Sequence, residues 1–174
     1  MKLLKHIEDK PLVKGTKVKK RFAVRAVIFD KNGLTPIVFA SKMKYHKIPG
    51  GGIEKGEDKV KALAREIYDE SGCAAEIDGE IGKITEYRSK FKWFQYQTSY
   101  CYFGKVVKKG TPHFDRGELS EGFKMSWMTL GDAIDLFKKD KPLDYEGWFI
   151  RQRDLAFLEA AKKWFDFGCP RELE

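Results

Sequence analysis

Hydrophobic residues along this chain follow two periods, one typical of strands and one typical of helices. An apolar, β-branched run at 22–30 predicts a largely buried strand, and the pair Asn32 and Gly33 predicts a turn into a second strand at 37–40. Apolar residues spaced three and four apart predict a helix that starts near Glu57 and two later helices, at about 131–139 and 147–165. The mixture of both periods predicts one α/β domain over residues 1–174.

The segment 94–102 shows the clearest period of two. One face is aromatic and the other is polar: Phe94, Tyr96, Tyr100 and Tyr102 alternate with Gln95, Gln97, Ser99 and Cys101. This alternation predicts a strand with two different faces. We expect the aromatic face to pack in the core, and a wall on which a nucleobase stacks is the rarer alternative.

Length and composition are typical of a globular protein. The chain has 174 residues, of which 42% are hydrophobic and 34% are charged. No apolar run is long enough for a membrane span or a signal peptide, so we expect a cytoplasmic protein that does not enter a membrane. The three cysteines have unrelated spacings and predict neither a disulfide framework nor a zinc site.

The positive net charge adds little to the prediction of binding partners. The formal net charge is +8, and lysines cluster near 14–20, 105–109 and 138–141. Aromatic residues do not interleave with them as in surfaces that bind single-stranded nucleic acid, so nucleic acid is a conceivable but not a favoured partner. Residues 1–20 predict an irregular N-terminal extension or a short edge strand, without an identified role.

The segment 48–73 contains the highest density of residues typical of a functional site. Three consecutive glycines, 50–52, follow Pro49, and the backbone there can adopt positive φ and approach a ligand closely. The helix that follows ends at Gly72, and we expect Glu57 and Asp58 to lie in its first turn. Its apolar stripe, which we expect to be buried, consists of Val60, Leu63, Ala64 and Ile67.

Three acids lie along one flank of that stripe: Glu66, Asp69 and Glu70. Glu66 and Glu70 are one turn apart, and like charges at this spacing destabilise a helix unless a cation lies between them. Carboxylate oxygens suit a hard divalent ion such as Mg²⁺ or Mn²⁺, which bridges carboxylates to substrate phosphates. The alternative is a solvated acidic face on which Arg65 pairs with Asp69.

The segment 51–73 as a whole resembles the Nudix box. That signature is a Gly, five residues, a Glu, seven residues, Arg-Glu, an aliphatic residue, any residue, Glu-Glu, any residue, Gly and a closing aliphatic residue. The matching positions are Gly51, Glu57, Arg65, Glu66, Ile67, Asp69, Glu70, Gly72 and Cys73. Asp69 departs from the pattern through its shorter carboxylate arm. Cys73 also departs from it, mildly, because a buried Cys behaves as a small hydrophobe.

The resemblance implies a fold and a reaction. Nudix (MutT-like) hydrolases have a single-domain α/β/α sandwich with a mixed, curved sheet, beside which the box forms a loop, a helix and a loop. With Mg²⁺ or Mn²⁺ they hydrolyse the diphosphate linkage of a nucleoside diphosphate derivative to a nucleoside monophosphate and a second phosphorylated product. Cleansing of the nucleotide pool is one role that such a reaction can have.

The resemblance also implies roles for residues of the box. The expected metal-binding residues are Glu66, Asp69, Glu70, Gly50 through its carbonyl, and Glu57, which either binds through water or holds the loop. Arg65 would orient the acids, and Glu66, beside Glu70, would help to deprotonate the attacking water. Because a distal loop supplies the base in some members of the family, Glu118 and Glu121 are alternatives.

Substrate binding is expected at Arg25, Lys47 and Gly51. Arg25 lies on a mostly apolar strand face, where a guanidinium needs an anionic partner. A carboxylate of the protein and a substrate phosphate are equally good candidates for that partner. Lys47 and Gly51 belong to the loop that opens the box, where ordinary loop structure is the alternative to ligand binding.

Three hypotheses about function follow. The first is a Mg²⁺-dependent hydrolase of small nucleoside diphosphate derivatives. The second is a pyrophosphohydrolase that acts on RNA 5′ ends, for which binding should fall steeply with salt. The third is a non-catalytic nucleotide sensor on the same fold. The group beyond the diphosphate and the oligomeric state, a homodimer included, stay open.

Overall fold

The chain contains both strands and helices, as the two hydrophobic periods predict, and four strands come before the first helix. A computed structural model describes residues 1–11, 15–90 and 93–168. Its elements are β1 Leu3–Glu8, β2 Val18–Phe29, β3 Leu34–Ala40, β4 Tyr45–Lys47, α1 Lys59–Ser71, β5 Ala74–Lys90, β6 Trp93–Lys108, α2 Arg116–Ser120, β7 Phe123–Thr129, α3 Leu130–Lys139 and α4 Tyr145–Gly168. The predicted mixed α/β architecture is confirmed.

The strands form two sheets. The larger sheet has the order β1-β5-β6-β2, in which β5 and β6 are antiparallel while β1 and β2 run parallel to their neighbours. The smaller sheet has the order β4-β3-β7 and is antiparallel. The first sheet is therefore mixed, as expected.

Strand β2 separates two hydrophobic clusters. Its residues Val24, Ala26 and Ile28 pack with the buried face of α1. On the other side Val27 packs in a cluster to which α3 and α4 contribute most of the aromatic residues, among them Phe137 and Phe149. Both faces of β2 are covered from Ala23 onward, so this part of the strand is apolar except for Arg25, whereas its first five residues are exposed and mostly basic.

Helix α1 starts two residues later than expected. The carboxylate of Asp58 accepts hydrogen bonds from the backbone N–H groups of Val60 and Lys61, each 2.9 Å long, so Asp58 is the N-cap and not a residue of the first turn. The end is where the sequence predicts it: Gly72 has φ 70° and donates its N–H to the carbonyl of Tyr68 at 2.8 Å.

The predicted apolar stripe of α1 is half wrong. Leu63 and Ile67 are buried, but Val60 is 74% exposed and Ala64 is also exposed. The helix is rotated so that Glu66 and Glu70 lie in its buried face instead of on a flank. Two carboxylates therefore occupy positions that hydrophobic periodicity alone would give to apolar residues.

Strand β6 buries the opposite face from the one expected. Gln97, Ser99 and Cys101 are fully buried, whereas Tyr96 and Tyr100 are only partly buried. The polar side chains bond to one another: Gln97 donates to Ser99 Oγ at 2.9 Å and accepts from Gln95 at 3.2 Å. The expectation of an aromatic core face holds at Phe94, which is buried, but not at Tyr96 and Tyr100. Gln97 and Ser99 are buried instead because they make these hydrogen bonds.

Two segments read as irregular contain regular structure. Residues 3–8 form β1 at the edge of the larger sheet, which confirms the edge-strand alternative, while residues 12–14 lie outside the described chain. The acidic loop at 113–122 contains the one-turn helix α2, closed by a capping box between Asp115 and Glu118. No described helix is long and apolar enough to cross a membrane. Cys73 and Cys101 are free and buried, and Cys169 is outside the described residues.

Candidate active site

The glycine loop, α1, β2, β5, α2 and α4 enclose a cleft of about 400 Å³. Its lining divides into two groups of opposite charge. The carboxylate side consists of Glu66, Glu70 and Glu118, with Lys47 among them. The arginine side consists of Arg21, Arg25, Arg88 and Arg153. Gly50 and Gly51 lie in the lining between elements of both groups.

Glu70 is the most deeply held acid of the carboxylate side. Its side chain is 2% exposed, and Oε2 accepts a hydrogen bond from the backbone N–H of Gly50 at 2.9 Å. Its Oε1 forms a short ion pair with Nζ of Lys47. The helix and the glycine loop are thus joined through this one carboxylate, and Lys47 neutralises it.

Glu66 lies one turn before Glu70 on the same buried face. Burial, and next the negative charge of Glu70, raise the pKa of Glu66, while hydrogen bonding from Arg65 and the charges of Arg25 and Lys47 act in the opposite direction. The balance shows that the two acids repel each other in the cleft. A hard cation would relieve this repulsion, so the donor set fits a divalent metal ion.

Gly51 is required by the position of Glu66. A Cβ atom at residue 51 would overlap both carboxylate oxygens of Glu66. Gly50 is required for a different reason: its φ is 139°, and a Cβ there would overlap the carbonyl of Val24. The backbone of β2 holds this loop, because Val24 N–H donates to the Gly51 carbonyl at 3.0 Å.

Arg65 holds the far end of the loop. Its Nε and Nη2 each donate to Glu57 at 2.9 Å, Nη2 also donates to the carbonyl of Gly52 at 3.1 Å, and Nη1 donates to Glu66 at 2.8 Å. This pairing lowers the pKa of Glu57 to about 2. Of the two roles expected for Glu57, the geometry supports holding the loop, because Glu57 does not line the cleft.

Asp69 is the expected ligand that the structure does not bring to the cleft. It is partly exposed and does not line the cavity, and its backbone carbonyl accepts the N–H of His113 at 2.6 Å. Within the described residues no three His, Cys, Asp or Glu side chains are grouped as a ready metal site. The predicted set of Glu66, Asp69 and Glu70 is therefore assembled only in part.

Glu118 and Glu121, the two candidate distal bases, differ in their position relative to the cleft. Glu118 lines the cleft, and burial, together with the charge and a hydrogen bond of Glu70, raises its pKa to about 7 against the lowering effect of the Asp115 backbone hydrogen bond. Glu121 does not line the cleft; it ends α2, and its carbonyl accepts the N–H of Lys42 at 3.2 Å. Its position in the cleft favours Glu118 over Glu121 as the candidate distal base.

Arg25 is 4% exposed and lines the cleft. Its Nη1 donates to the carbonyl of Val24 at 2.7 Å, and its Nε lies 4.0 Å from Oδ1 of Asp154. Asp154 is bound more closely by Nε of Arg153, at 2.6 Å. Arg25 thus has an internal anion nearby without a hydrogen bond to it.

Sequence reasoning missed Arg21, Arg88 and Arg153. Arg88 on β5 pairs with both carboxylate oxygens of Glu86, at 3.0 and 3.1 Å, and with Glu146 on α4. Arg153 lies in the middle of α4 and is fully buried. A charged residue on a surface helix is ordinary in sequence, so no local pattern identifies it as a cleft residue.

The fold and the sequence agree with proteins of known family. A family model described as the NUDIX domain matches residues 19–148. Among solved structures, a NUDIX hydrolase from Nitrosomonas europaea has a TM-score of 0.57 at 16% identity, covering 83% of this chain and 90% of that chain. A MutT protein from Methanosarcina mazei Go1 has a TM-score of 0.52 at 16% identity, covering 87% and 98%. At these identities the structural likeness shows the fold alone.

Curated relatives match the chain over a shorter range. It is 29% identical over 99 residues to the diphosphoinositol polyphosphate phosphohydrolase 3-beta of Homo sapiens, an alignment that covers 57% of this chain and 56% of the relative. It is 28% identical over 99 residues to the diphosphoinositol polyphosphate phosphohydrolase 2 of Rattus norvegicus, covering 57% and 51%. The chain spans about half the length of the curated relatives it matches.

Proposed function

The chain belongs to the Nudix family. From this premise we propose that it is a divalent-metal-dependent hydrolase of a small organic diphosphate, with a nucleoside diphosphate derivative as the first candidate. Water would split the linkage to give a nucleoside monophosphate and a phosphorylated second product. The observation that carries this proposal is a cleft in which two buried carboxylates, Glu66 and Glu70, face buried arginines.

Mg²⁺ or Mn²⁺ is the proposed cofactor. Glu66 and Glu70 would hold it, with Asp69 and the Gly50 carbonyl as further expected ligands. Carboxylate oxygens that repel one another at the edge of a polyanion-binding cleft are the donor set that such ions prefer. When bound, the ion supplies neutralisation of the diphosphate charge and alignment of the attacking water.

Acid–base work is proposed for the carboxylate side. Glu66 and Glu118 both have a carboxylate in the cleft, so either is placed to accept the proton that the water loses. Glu118 is fixed by the capping box of α2, in which its Oε2 accepts the N–H of Asp115 at 2.8 Å. Arg65 orients Glu66 and does not line the cleft itself.

The substrate phosphates would be held across the cleft. Arg25 and Lys47 supply positive charge, and Gly51 allows the substrate to approach the backbone. Guanidinium and ammonium groups beside a transferring phosphoryl group stabilise the negative charge that spreads over it in the transition state. Lys47 must loosen its pairing with Glu70 for this role, which the arrival of another cation at Glu70 would allow.

A diphosphoinositol polyphosphate is the second candidate substrate. The curated relatives carry that substrate class in their names. The arginine side also places further guanidiniums beside Arg25 in the cleft, which suits a substrate that carries phosphate groups besides the diphosphate. We further infer a cytoplasmic setting, which the free buried thiols of Cys73 and Cys101 support.

A substrate panel tests the proposal. The purified chain is incubated with nucleoside diphosphate sugars, dinucleoside polyphosphates, nucleoside triphosphates, a diphosphoinositol polyphosphate and 5′-triphosphorylated RNA, with Mg²⁺ or Mn²⁺, and both products are identified by ³¹P NMR. We expect cleavage of at least one small diphosphate, abolished in Glu70→Gln. Binding of a nucleotide without any cleavage would instead support the sensor hypothesis, and cleavage of RNA alone would support the RNA hypothesis.

A further inference from the structure

The arginine side of the cleft brings three buried guanidiniums and one more exposed guanidinium together. Arg25, Arg88 and Arg153 are 4%, 3% and 0% exposed, and Arg21 reaches the same cavity from β2. Among the described residues, the acids that contact the three buried guanidiniums are Glu86, Glu146 and Asp154. The three buried charges are thus matched by three acids, whereas Arg21 donates to the neutral side chain of Gln97.

The hydrogen bonds of this cluster are incomplete. Arg153 uses its Nε for Asp154, but Nη1 and Nη2 are buried and have no hydrogen-bond partner among the described residues. Its Nη1 lies 3.8 Å from Oε2 of Glu86, which is an ion pair without a hydrogen bond. Arg25 and Arg88 each have a buried Nε in the same condition. A buried donor without an acceptor is costly, so this pattern favours an acceptor that the described residues do not supply.

The guanidiniums also act on one another. Burial and then the charge of Arg153 lower the pKa of Arg25 to about 10. The pKa of Arg21 is lowered by burial and then by Arg153 and Arg88. Burial would lower the pKa of Arg153 too, but Asp154 and Glu86 outweigh it and raise that pKa. The positive charge of Arg153 therefore lowers the pKa values of both Arg25 and Arg21.

We propose that Arg153, with Arg88, Arg25 and Arg21, forms a second anion subsite that takes a tetrahedral phosphoryl group apart from the diphosphate held at Glu66 and Glu70. The fork of Nη1 and Nη2 on Arg153 offers two parallel donors, which match two oxygens of one phosphoryl group. This inference rests on the proposed function and narrows it. The preferred substrate is a diphosphate whose other moiety carries a phosphomonoester.

The first experiment measures the subsite without catalysis. Inorganic phosphate is titrated into metal-free protein in EDTA, and binding is followed by calorimetry and by the shift of the unfolding temperature. We compare wild type with Arg153→Lys, which keeps the charge but loses the fork, and with Arg21→Gln. Arg151→Lys is the matched control, because Arg151 on the same helix donates to the carbonyls of Phe137 and Lys138 instead.

We expect phosphate to bind wild type and the control equally, and to bind Arg153→Lys and Arg21→Gln at least about tenfold more weakly, since each loses charge-assisted hydrogen bonds. Arg21 is an exposed residue of β2, so its variant folds even if Arg153→Lys does not. Wild-type protein that does not bind phosphate, or variants that bind it as wild type does, would overturn the subsite.

A second experiment distinguishes a phosphomonoester of the substrate from free phosphate. ADP-ribose and its 2′-phosphate form a matched pair that differs by one phosphomonoester, and kcat/KM is measured for both. We expect wild type to have the higher kcat/KM for the 2′-phosphate. In Arg153→Lys the ratio of the two kcat/KM values should fall about tenfold, mostly through a higher KM for the 2′-phosphate.

If the preference is equal in both proteins while phosphate still binds, the site serves free phosphate and the narrowed substrate class is wrong. Phosphate binding without turnover of any diphosphate would remove the proposed function and leave the subsite. Turnover of a diphosphate without phosphate binding would remove the subsite and leave the proposed function.

Discussion

The two sides of the cleft are built in opposite ways. On the carboxylate side Glu66, Glu70 and the glycine loop come from one continuous segment, and their contacts span at most 23 residues. On the arginine side Arg25, Arg88 and Arg153 come from β2, β5 and α4, and Arg88 reaches Glu146 across 58 residues. The first side has a local sequence signature, whereas the second exists only once the chain has folded.

Charge is also balanced differently on the two sides. Lys47 and Arg65 lie close to the two acids, so cationic side chains already occupy the places next to the carboxylates. The arginine side keeps buried donors for which the described part of the chain offers no acceptor. We infer that a metal ion would replace Lys47 beside Glu70 on the carboxylate side and that an anion would bind the arginine side, and a metal-bound phosphate substrate supplies both.

The largest expected effect is a loss of kcat that differs among variants of the three acids of the box. Glu66→Gln and Glu70→Gln keep the side-chain shape but remove the charge, so each should lower kcat by about 10²-fold or more. Asp69→Asn should cost clearly less, because Asp69 does not line the cleft. The measurement is steady-state hydrolysis of the best substrate of the panel. Equal, large losses at all three positions would show that Asp69 moves into the cleft with the substrate or metal.

The next effect compares two arginines of the other side. Arg153→Ala leaves Asp154 without its hydrogen-bonded cation and should destabilise the fold by about 3–5 kcal/mol. Arg25→Ala should cost less stability, because Arg25 makes no hydrogen bond to Asp154 at 4.0 Å, while KM should rise about tenfold if Arg25 binds phosphate. Urea unfolding and kinetics on both variants check this. A large loss of stability with unchanged kcat/KM for Arg25→Ala would remove Arg25 from the substrate-binding residues.

A smaller effect concerns the junction of the loop and α1. In Gly51→Ala the new methyl group would meet the mobile end of the Glu66 side chain, which can shift. We therefore expect about a tenfold fall in kcat with little change in the unfolding temperature. Gly131→Ala is the control, since its nearest neighbour would be Thr129 Oγ1 at 3.9 Å. If Gly51→Ala unfolds the protein but leaves the kcat of the folded fraction unchanged, residue 51 is structural only.

The same contrast explains how much could be predicted from sequence. The family, the mixed fold and the end of α1 at Gly72 follow from local spacing. The rotation of α1 does not, because periodicity counts Val60 and Ala64 as core and Glu66 and Glu70 as flank. Burial of two acids becomes favourable only when Lys47, Arg65 and the loop amides surround them, and those contacts depend on the fold.

The polar interior of β6 was missed for a related reason. Alternation predicts two faces but not which one turns inward, and the aromatic residues made the wrong face look like core. Gln97 is buried because Arg21 donates to its Oε1 and Ser99 accepts from its Nε2. Arg21 belongs to the arginine side, so the burial of Gln97 and the arginine side both depend on tertiary contacts that sequence reasoning missed.

The smallest expected effect is at Val60. Val60 belongs to the predicted stripe but is 74% exposed, so Val60→Ser should change the free energy of unfolding by less than about 0.5 kcal/mol. Urea unfolding checks it beside Leu63→Ala, which removes a buried side chain and should cost about 2–5 kcal/mol. Similar losses in the two variants would mean that α1 has the rotation that sequence periodicity predicts.

Metal dependence tests the central claim most directly. The best substrate of the panel is incubated with wild-type protein in EDTA, and after removal of EDTA with added Mg²⁺ or Mn²⁺, and both products are quantified by ³¹P NMR. We predict no hydrolysis in EDTA and full recovery with either metal, because Glu66 and Glu70 repel each other and serve hydrolysis only with a cation between them and the phosphates. Undiminished turnover in EDTA would contradict the account.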